Sequence, residues 1–263
     1  MAEPWEELLT EAAALVAAAG EAGVTLRVVG SAGIRLHCAR PGPYLDRLGR
    51  PAKDIDFVVP QRHRKGMRRL LEGRGYVIDR DLLIAMEGTR YSFTHPDQGT
   101  EIDVFVERLN FCHTIELAGV LQQHPVTIPL EELLLQKVQI VEMTTTDIID
   151  AGVLLATHKV SGPGSDSGGG AEVIDGGRIA RMLARDWGFH HTATRNLGRI
   201  RENVRKSAAV DVGAEANSRV HDRVRLLLAA IDAEPKNLAW RMRDKIGERK
   251  QWWQDVNDKE ATY

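Results

Sequence analysis

Apolar and polar positions along the chain change their period partway through. Trp5 to Ala19 carries Leu8, Leu9, Ala12, Leu15 and Val16 at three- and four-residue spacing, which predicts a helix with one buried face. Short apolar runs follow. Leu26 to Val29 stops at Gly30 and Ile55 to Val59 stops at Pro60, the pattern of buried strands. Ser31 to Ala39 and Arg62 to Gly73 predict helices, and Arg40 to Ala52 a Pro/Gly-rich loop. Leu82 to Met86, Arg90 to Thr94 and Glu101 to Val106 predict further strands, with Gly88 and Thr89 as a hairpin turn.

From Pro129 the period lengthens from two to about 3.6. Leu130, Leu133, Leu134, Val138 and Val141 form one stripe. Further helices are predicted over Asp147 to His158, capped by Thr146, and over Val173 to Asp186, Thr194 to Lys206, Asn217 to Ile231 and Leu238 to Trp253. Ser161 to Gly170 holds five glycines and three serines and predicts a flexible connection. The expected class is therefore α+β. A domain over 1–110 with a small mixed sheet precedes an all-α domain over 111–263, with a linker at 161–170.

Composition adds limits. Of 263 residues, 43% are hydrophobic and 27% charged, enough to bury a core. With 35 basic and 37 acidic residues the net charge is -2, which excludes a globally basic nucleic-acid coat but permits local patches. Cys38 and Cys112 cannot build a disulfide framework, which favours a reducing compartment. The early apolar run Ala12 to Ala19 is far shorter than the roughly 20 residues of a membrane span. Glu3, Glu6, Glu7 and Glu11 precede it, where a secretory signal carries positive charge. A cytoplasmic protein with no membrane partner is expected.

The chemistry concentrates in the first half. Gly30-Ser31 ends a strand and opens a helix, where free N–H groups and a positive dipole end favour phosphate. Asp54 and Asp56, two apart in an apolar strand, share one face. Side by side and partly desolvated they repel, and a divalent cation relieves that cost. A strand edge with both aspartates in water is the alternative. Glu101 and Asp103 repeat the pattern, with Ile102, Val104 and Val106 opposite and Phe105 on the acidic face. If the strands are neighbours, Asp103 joins Asp54 and Asp56. Such a set suits hard cations and the two-metal clamp of phosphoryl or nucleotidyl displacement.

Gly-Ser at a turn, Asp-x-Asp in an apolar strand and a lone Asp in a later strand resemble the nucleotidyltransferase superfamily with the DNA polymerase β-type fold. The likeness covers about Val24 to Val106. It implies transfer of NMP from an NTP to a hydroxyl, dependent on Mg²⁺ or Mn²⁺. Asp54, Asp56 and Asp103 would hold metal, and Gly30 and Ser31 the triphosphate. Twenty-two residues separate Ser31 from Asp54, more than the family's commonest spacing, an excess that falls in the Pro/Gly-rich loop. The stretch Leu133 to Asp150, LLLQKVQIVEMTTTDIID, is similar to the helical motifs of AbiEii-type nucleotidyltransferases, many of them toxins. That resemblance implies that Lys137 and Asp147, with Asp150 next in line, complete the nucleotide site, and that an antitoxin protein is a partner. Thr146 stands where the family often has a basic residue. Read from the residues alone, Lys137 lies inside the apolar stripe and needs an acid or phosphate partner unless it snorkels, while Asp147 and Asp150 suit a helix's first turn.

Arg62, Arg64, Lys65, Arg68, Arg69 and Arg74 form one basic stretch, and eight basic residues against two acids between Arg178 and Lys206 form another. Each is an electrostatic surface for an acceptor such as RNA, or a solvated helix face. His190-His191 predicts a loop, His37 a packed or capping side chain, and the tryptophans near the C-terminus packing. The acceptor is therefore open between RNA or tRNA, protein and a small molecule. A non-catalytic nucleotide-binding or protein-interaction module is the competing reading.

Overall fold

The computed structural model describes residues 4–38, 54–162, 173–206 and 214–255. They form two compact units, one of residues 4–38, 54–109 and 116–129, the other of 110–115 and the described residues from 130 onward. Neither the loop Arg40–Ala52 nor the part of the linker beyond Gly162 is among them.

A five-stranded mixed sheet carries the first unit, in the order β1 (Arg27–Val28), β2 (Asp54–Val59), β5 (Glu101–Val106), β4 (Arg90–Thr94), β3 (Val77–Ile78). β2 and β5 run parallel, in the register Ile55–Ile102, Phe57–Val104 and Val59–Val106. The other neighbours are antiparallel. Helices α1 (Pro4–Glu21) and α3 (Arg64–Gly73) supply Leu8, Ala12, Leu15, Met67 and Leu71 to the core these side chains build. The hydrophobic face of the sheet is thus covered, and the period of two turns the alternate residues to the other face.

Leu82 to Met86 is not a strand. Asp79 accepts a hydrogen bond from the Leu82 N–H at 2.9 Å and caps α4 (Arg80–Ala85). Leu82, Leu83 and Ile84 run together without a period, so the cap decides the structure. Gly88 and Thr89 accordingly lead from a helix into β4 instead of closing a hairpin, with Glu87 at φ 49° and Gly88 at φ 71°. Residues 116–129 belong with the sheet: the Val28 N–H donates to Val126 O at 2.9 Å.

Helices dominate the second unit: α5 (Leu130–Val138), α6 (Thr145–Thr157), α7 (Gly176–Leu183), α8 (Trp187–Lys206), α9 (Ala214–Ala233) and α10 (Leu238–Ile246). The cap of α6 is Thr144, not Thr146: its hydroxyl accepts from the Asp147 N–H while Asp147 reaches back to the Thr144 N–H. This capping box starts the helix two residues earlier than expected, at Thr145. Val173–Ile174 is not helical but pairs in parallel with Lys159–Val160, and Asp175 then caps α7. Ser161, expected in the flexible connection, is buried, and its hydroxyl accepts from the Gly176 N–H at 3.0 Å. His190 and His191 lie inside α8, which begins at Trp187 rather than Thr194. α10 stops at Ile246, where Gly247 takes φ 59°, short of Trp253.

His113 gives this unit a pH dependence. It is buried, shares a hydrogen bond of 2.9 Å with the Thr192 hydroxyl and stacks on Phe189. Burial depresses its pKa to about 4. A depressed imidazole stabilises the fold fully above the unfolded value near 6.5, and that contribution fades as pH falls toward 4. Urea unfolding is expected to show a loss of roughly 2 kcal/mol between pH 7 and 4, with a smaller loss in His113→Gln.

Candidate active site

The alternation that buries Ile55 and Phe57 turns Asp54 and Asp56 to the opposite face of β2. On β5 the same alternation sends Glu101, Asp103 and Phe105 to that face. The parallel register sets Asp54 beside Glu101 and Asp56 beside Asp103. Adjacent strands lie about 4.8 Å apart, so Asp56 and Asp103 are immediate neighbours. Both are only partly exposed.

The Gly30 turn reaches the same place. The Val29 N–H donates to Asp56 O at 2.8 Å, extending the β1–β2 ladder by one residue. The chain then swings into α2 (Gly30–His37) with Gly30 at φ 66°. A Cβ on Gly30 would overlap Asp56 Oδ2 and come within 3.2 Å of Cγ. Glycine is required there twice, for the left-handed backbone and for the room the carboxylate occupies. The positive end of α2 therefore adjoins Asp56.

A cation that the sequence did not mark stands on this face. Arg90, opposite Phe105 in the β4–β5 register, donates from Nη2 to Asp103 Oδ2 at 2.7 Å. Its guanidinium lies 5.2 Å from the Phe105 ring centroid. The other oxygen of Asp103, Oδ1, is buried and has no hydrogen-bond partner among the described residues. In sequence Arg90 is one polar position in the alternating RYSFT, and only the cross-strand register shows which acid it meets. Among the described residues, no group of three or more His, Cys, Asp or Glu is gathered closely enough to hold a metal ion. Asp54, Asp56 and Asp103 carry carboxylate oxygens, the donor type that hard cations take, on one face of the sheet.

His37, on α2, shares a hydrogen bond of 2.5 Å with the Thr127 hydroxyl and packs against His124. It is a packed side chain, as the sequence predicts.

In the second unit Lys137 is buried in α5 and pairs with Asp150 at 2.9 Å and Asp147 at 3.5 Å. The acid partner that its place in the apolar stripe demands is chiefly Asp150, itself buried. Asp147 divides its oxygens between Lys137 and the Thr144 cap. A second buried cluster joins Arg178 Nε to Glu132, with Glu131 at 3.9 Å. Burial, then the charge of Glu131, pushes the Glu132 carboxyl up to about 7.

The basic stretches separate. Arg178, Arg195 and Arg199 are spent on Glu132 and on the backbone oxygens of Val141 and Met143. Of the six basic side chains from Arg62 to Arg74, Arg68 alone has a carboxylate partner among the described residues, Glu72 at 2.8 Å. The tryptophans pack as expected: Trp187 is buried, stacks on His191 and donates to Asp244 at 2.7 Å. Neither cysteine is in a disulfide, and both are buried. Among the described residues no helix is long and apolar enough to cross a membrane.

No family model matches the sequence, and no curated protein is similar to it at a significant level. Some solved structures show partial similarity to the chain. The lincosamide antibiotic adenylyltransferase LnuA, lincomycin-bound, is 17% identical over 54% of this chain and 92% of its own, with a TM-score of 0.38. The antibiotic-resistance factor ANT(2'')-Ia is 15% identical over 58% and 84%, with a TM-score of 0.39. An antigenic nucleotidyltransferase-like protein from Paracoccidioides brasiliensis is 14% identical over 89% and 96%, with a TM-score of 0.39.

Proposed function

We propose that the chain transfers NMP from an NTP to a hydroxyl group and releases pyrophosphate. The observation that carries this reading is the placement of Asp56 against the Gly30 turn and beside Asp103 on one face of the sheet. Asp54, Asp56 and Asp103 are the residues that would hold Mg²⁺ or Mn²⁺, which when bound supplies charge neutralisation of the triphosphate and activation of the attacking oxygen. Gly30 and Ser31, at the positive end of α2, bind phosphate oxygens. Asp103 helps remove the proton of the acceptor hydroxyl, either directly or by holding a metal ion that does. That oxygen attacks the α-phosphorus, the bond to the bridging oxygen breaks, and pyrophosphate leaves with the electron pair. The resemblance to AbiEii-type enzymes gives Lys137 and Asp147 to nucleotide binding, which the nucleotide KM of Lys137→Ala measures.

Among the described residues Arg64, Lys65 and Arg69 of α3 have no carboxylate partner, which favours a polyanionic acceptor such as RNA. A toxin with an antitoxin partner fits that acceptor. Incubation with Mg²⁺, α-labelled NTPs and total RNA is expected to label RNA, with the label absent for Asp56→Ala. Nucleotide binding by calorimetry without transfer to RNA, protein or small molecules would support the non-catalytic module instead.

A further inference from the structure

α10 is held by one face. Asn237 caps it, accepting the Trp240 N–H at 2.8 Å. Trp240 meets the His190 ring edge-on at 5.0 Å, and the Arg243 guanidinium lies 4.4 Å from the Trp187 ring centroid. Asp244 accepts the Trp187 indole N–H at 2.7 Å, and just past the helix Glu248 pairs with His191 at 2.9 Å. Trp187, His190 and His191 all belong to α8. These contacts fix which side of α10 faces water. On that side Leu238, Met242 and Ile246 recur at four-residue spacing, 73%, 60% and 43% exposed. Among the described residues five large hydrophobic side chains are exposed, and three of them make this stripe. Apolar side chains exposed singly need no partner, but a contiguous stripe rimmed by charge marks an interaction surface.

The rim is cationic. Arg241 and Lys245, three residues on from Leu238 and Met242, are exposed along one flank of the stripe. The nearby acids Asp244 and Glu248 are engaged by Trp187 and His191 of α8. A second copy of the chain would therefore set like charge against like. A bilayer would gain only three partly exposed side chains, and even a whole myristoyl chain binds membranes marginally. We infer that the outer face of α10 docks an acidic amphipathic helix of a partner protein. Apolar side chains of that helix, at i, i+3 or i+4 and i+7, cover Leu238, Met242 and Ile246. Its Asp or Glu residues meet Arg241 and Lys245, which orients the helix and excludes basic partners. Docking on α10 is separate from nucleotidyl transfer and holds whether or not the chain is an enzyme.

A displayed library of helical peptides, selected on the immobilised full chain and counter-selected on Met242→Glu, lets the surface choose its partner. The peptides recovered are expected to carry an apolar stripe flanked by Asp and Glu. In fluorescence anisotropy a recovered peptide should bind Met242→Glu at least about tenfold more weakly than wild type. The double variant Arg241→Glu/Lys245→Glu should also lose about tenfold, and should prefer the same peptide with its acids exchanged for lysines. These positions are exposed, so melting temperatures should stay within about 2 °C of wild type. Leu238→Glu, at the most exposed position of the stripe, repeats the test if Met242→Glu does not fold. Recovery of neutral or basic peptides only, no peptide that distinguishes wild type from Met242→Glu, or undiminished affinity in the charge-reversed variant would overturn the inference. Met242-dependent binding to phosphatidylserine-containing vesicles, or a Met242-dependent dimer in sedimentation, would overturn it in favour of a membrane or a second copy.

Discussion

Asp56→Asn is expected to lower the rate of NMP transfer by about a thousandfold or more while leaving the fold intact. Asp56 is the acid on which the candidate site's contacts converge. It lies against Gly30, beside Asp103 on the parallel strand, and two residues from Asp54 on the same face. The amide keeps the shape but loses the negative charge that a cation or a developing positive centre needs. Stability should not fall with activity. Partly buried acids on one face repel, and neutralising one relieves that repulsion. A melting temperature at or above wild type, together with the rate loss, separates a functional acid from a structural one. A variant that is slow only because it is unfolded would contradict this account.

Gly30→Ala is expected to have the second-largest effect. At φ 66° an alanine adopts the left-handed region at a cost of about 1–2 kcal/mol, and its Cβ overlaps the Asp56 carboxylate. The carboxylate has to move, so transfer should fall about a hundredfold even where the protein remains folded. Coupling distinguishes the two causes. In an Asp56→Ala background the steric part of the stability loss should disappear and the backbone cost remain. Chemical denaturation of the four proteins of this cycle measures both parts. Equal losses in the two backgrounds would mean that Gly30 does not confront Asp56.

How much of this was legible in the sequence depends on the range of the interaction. Asp54 and Asp56 share a face of β2, and Glu101 and Asp103 a face of β5, because a strand alternates, and that alternation is written in six-residue stretches; that the two faces are one comes from the β2–β5 pairing, which the stretches do not contain. Lys137, a charge inside an apolar stripe, calls for an acid or phosphate partner unless it snorkels, and the structure pairs it with Asp150, nearer than Asp147. Arg90 was hidden. Its meaning comes from a β4–β5 register that no local pattern specifies. The helix α4 was missed because three adjacent apolar residues have no period, while the deciding cap, Asp79, lies outside them. Val173–Ile174 was drawn into a helix because a two-residue strand is too short to show alternation.

The central claim is that one face of this sheet passes the α-phosphoryl group of an NTP, with its nucleoside, to a hydroxyl. A nucleotide labelled at both the α- and γ-phosphorus tests it in a single reaction with Mg²⁺ and total RNA. The account predicts α-label on the acceptor and γ-label in pyrophosphate in equal amounts, both lost in Asp56→Asn. γ-Label on the acceptor, or transfer that Asp56→Asn leaves untouched, would contradict it.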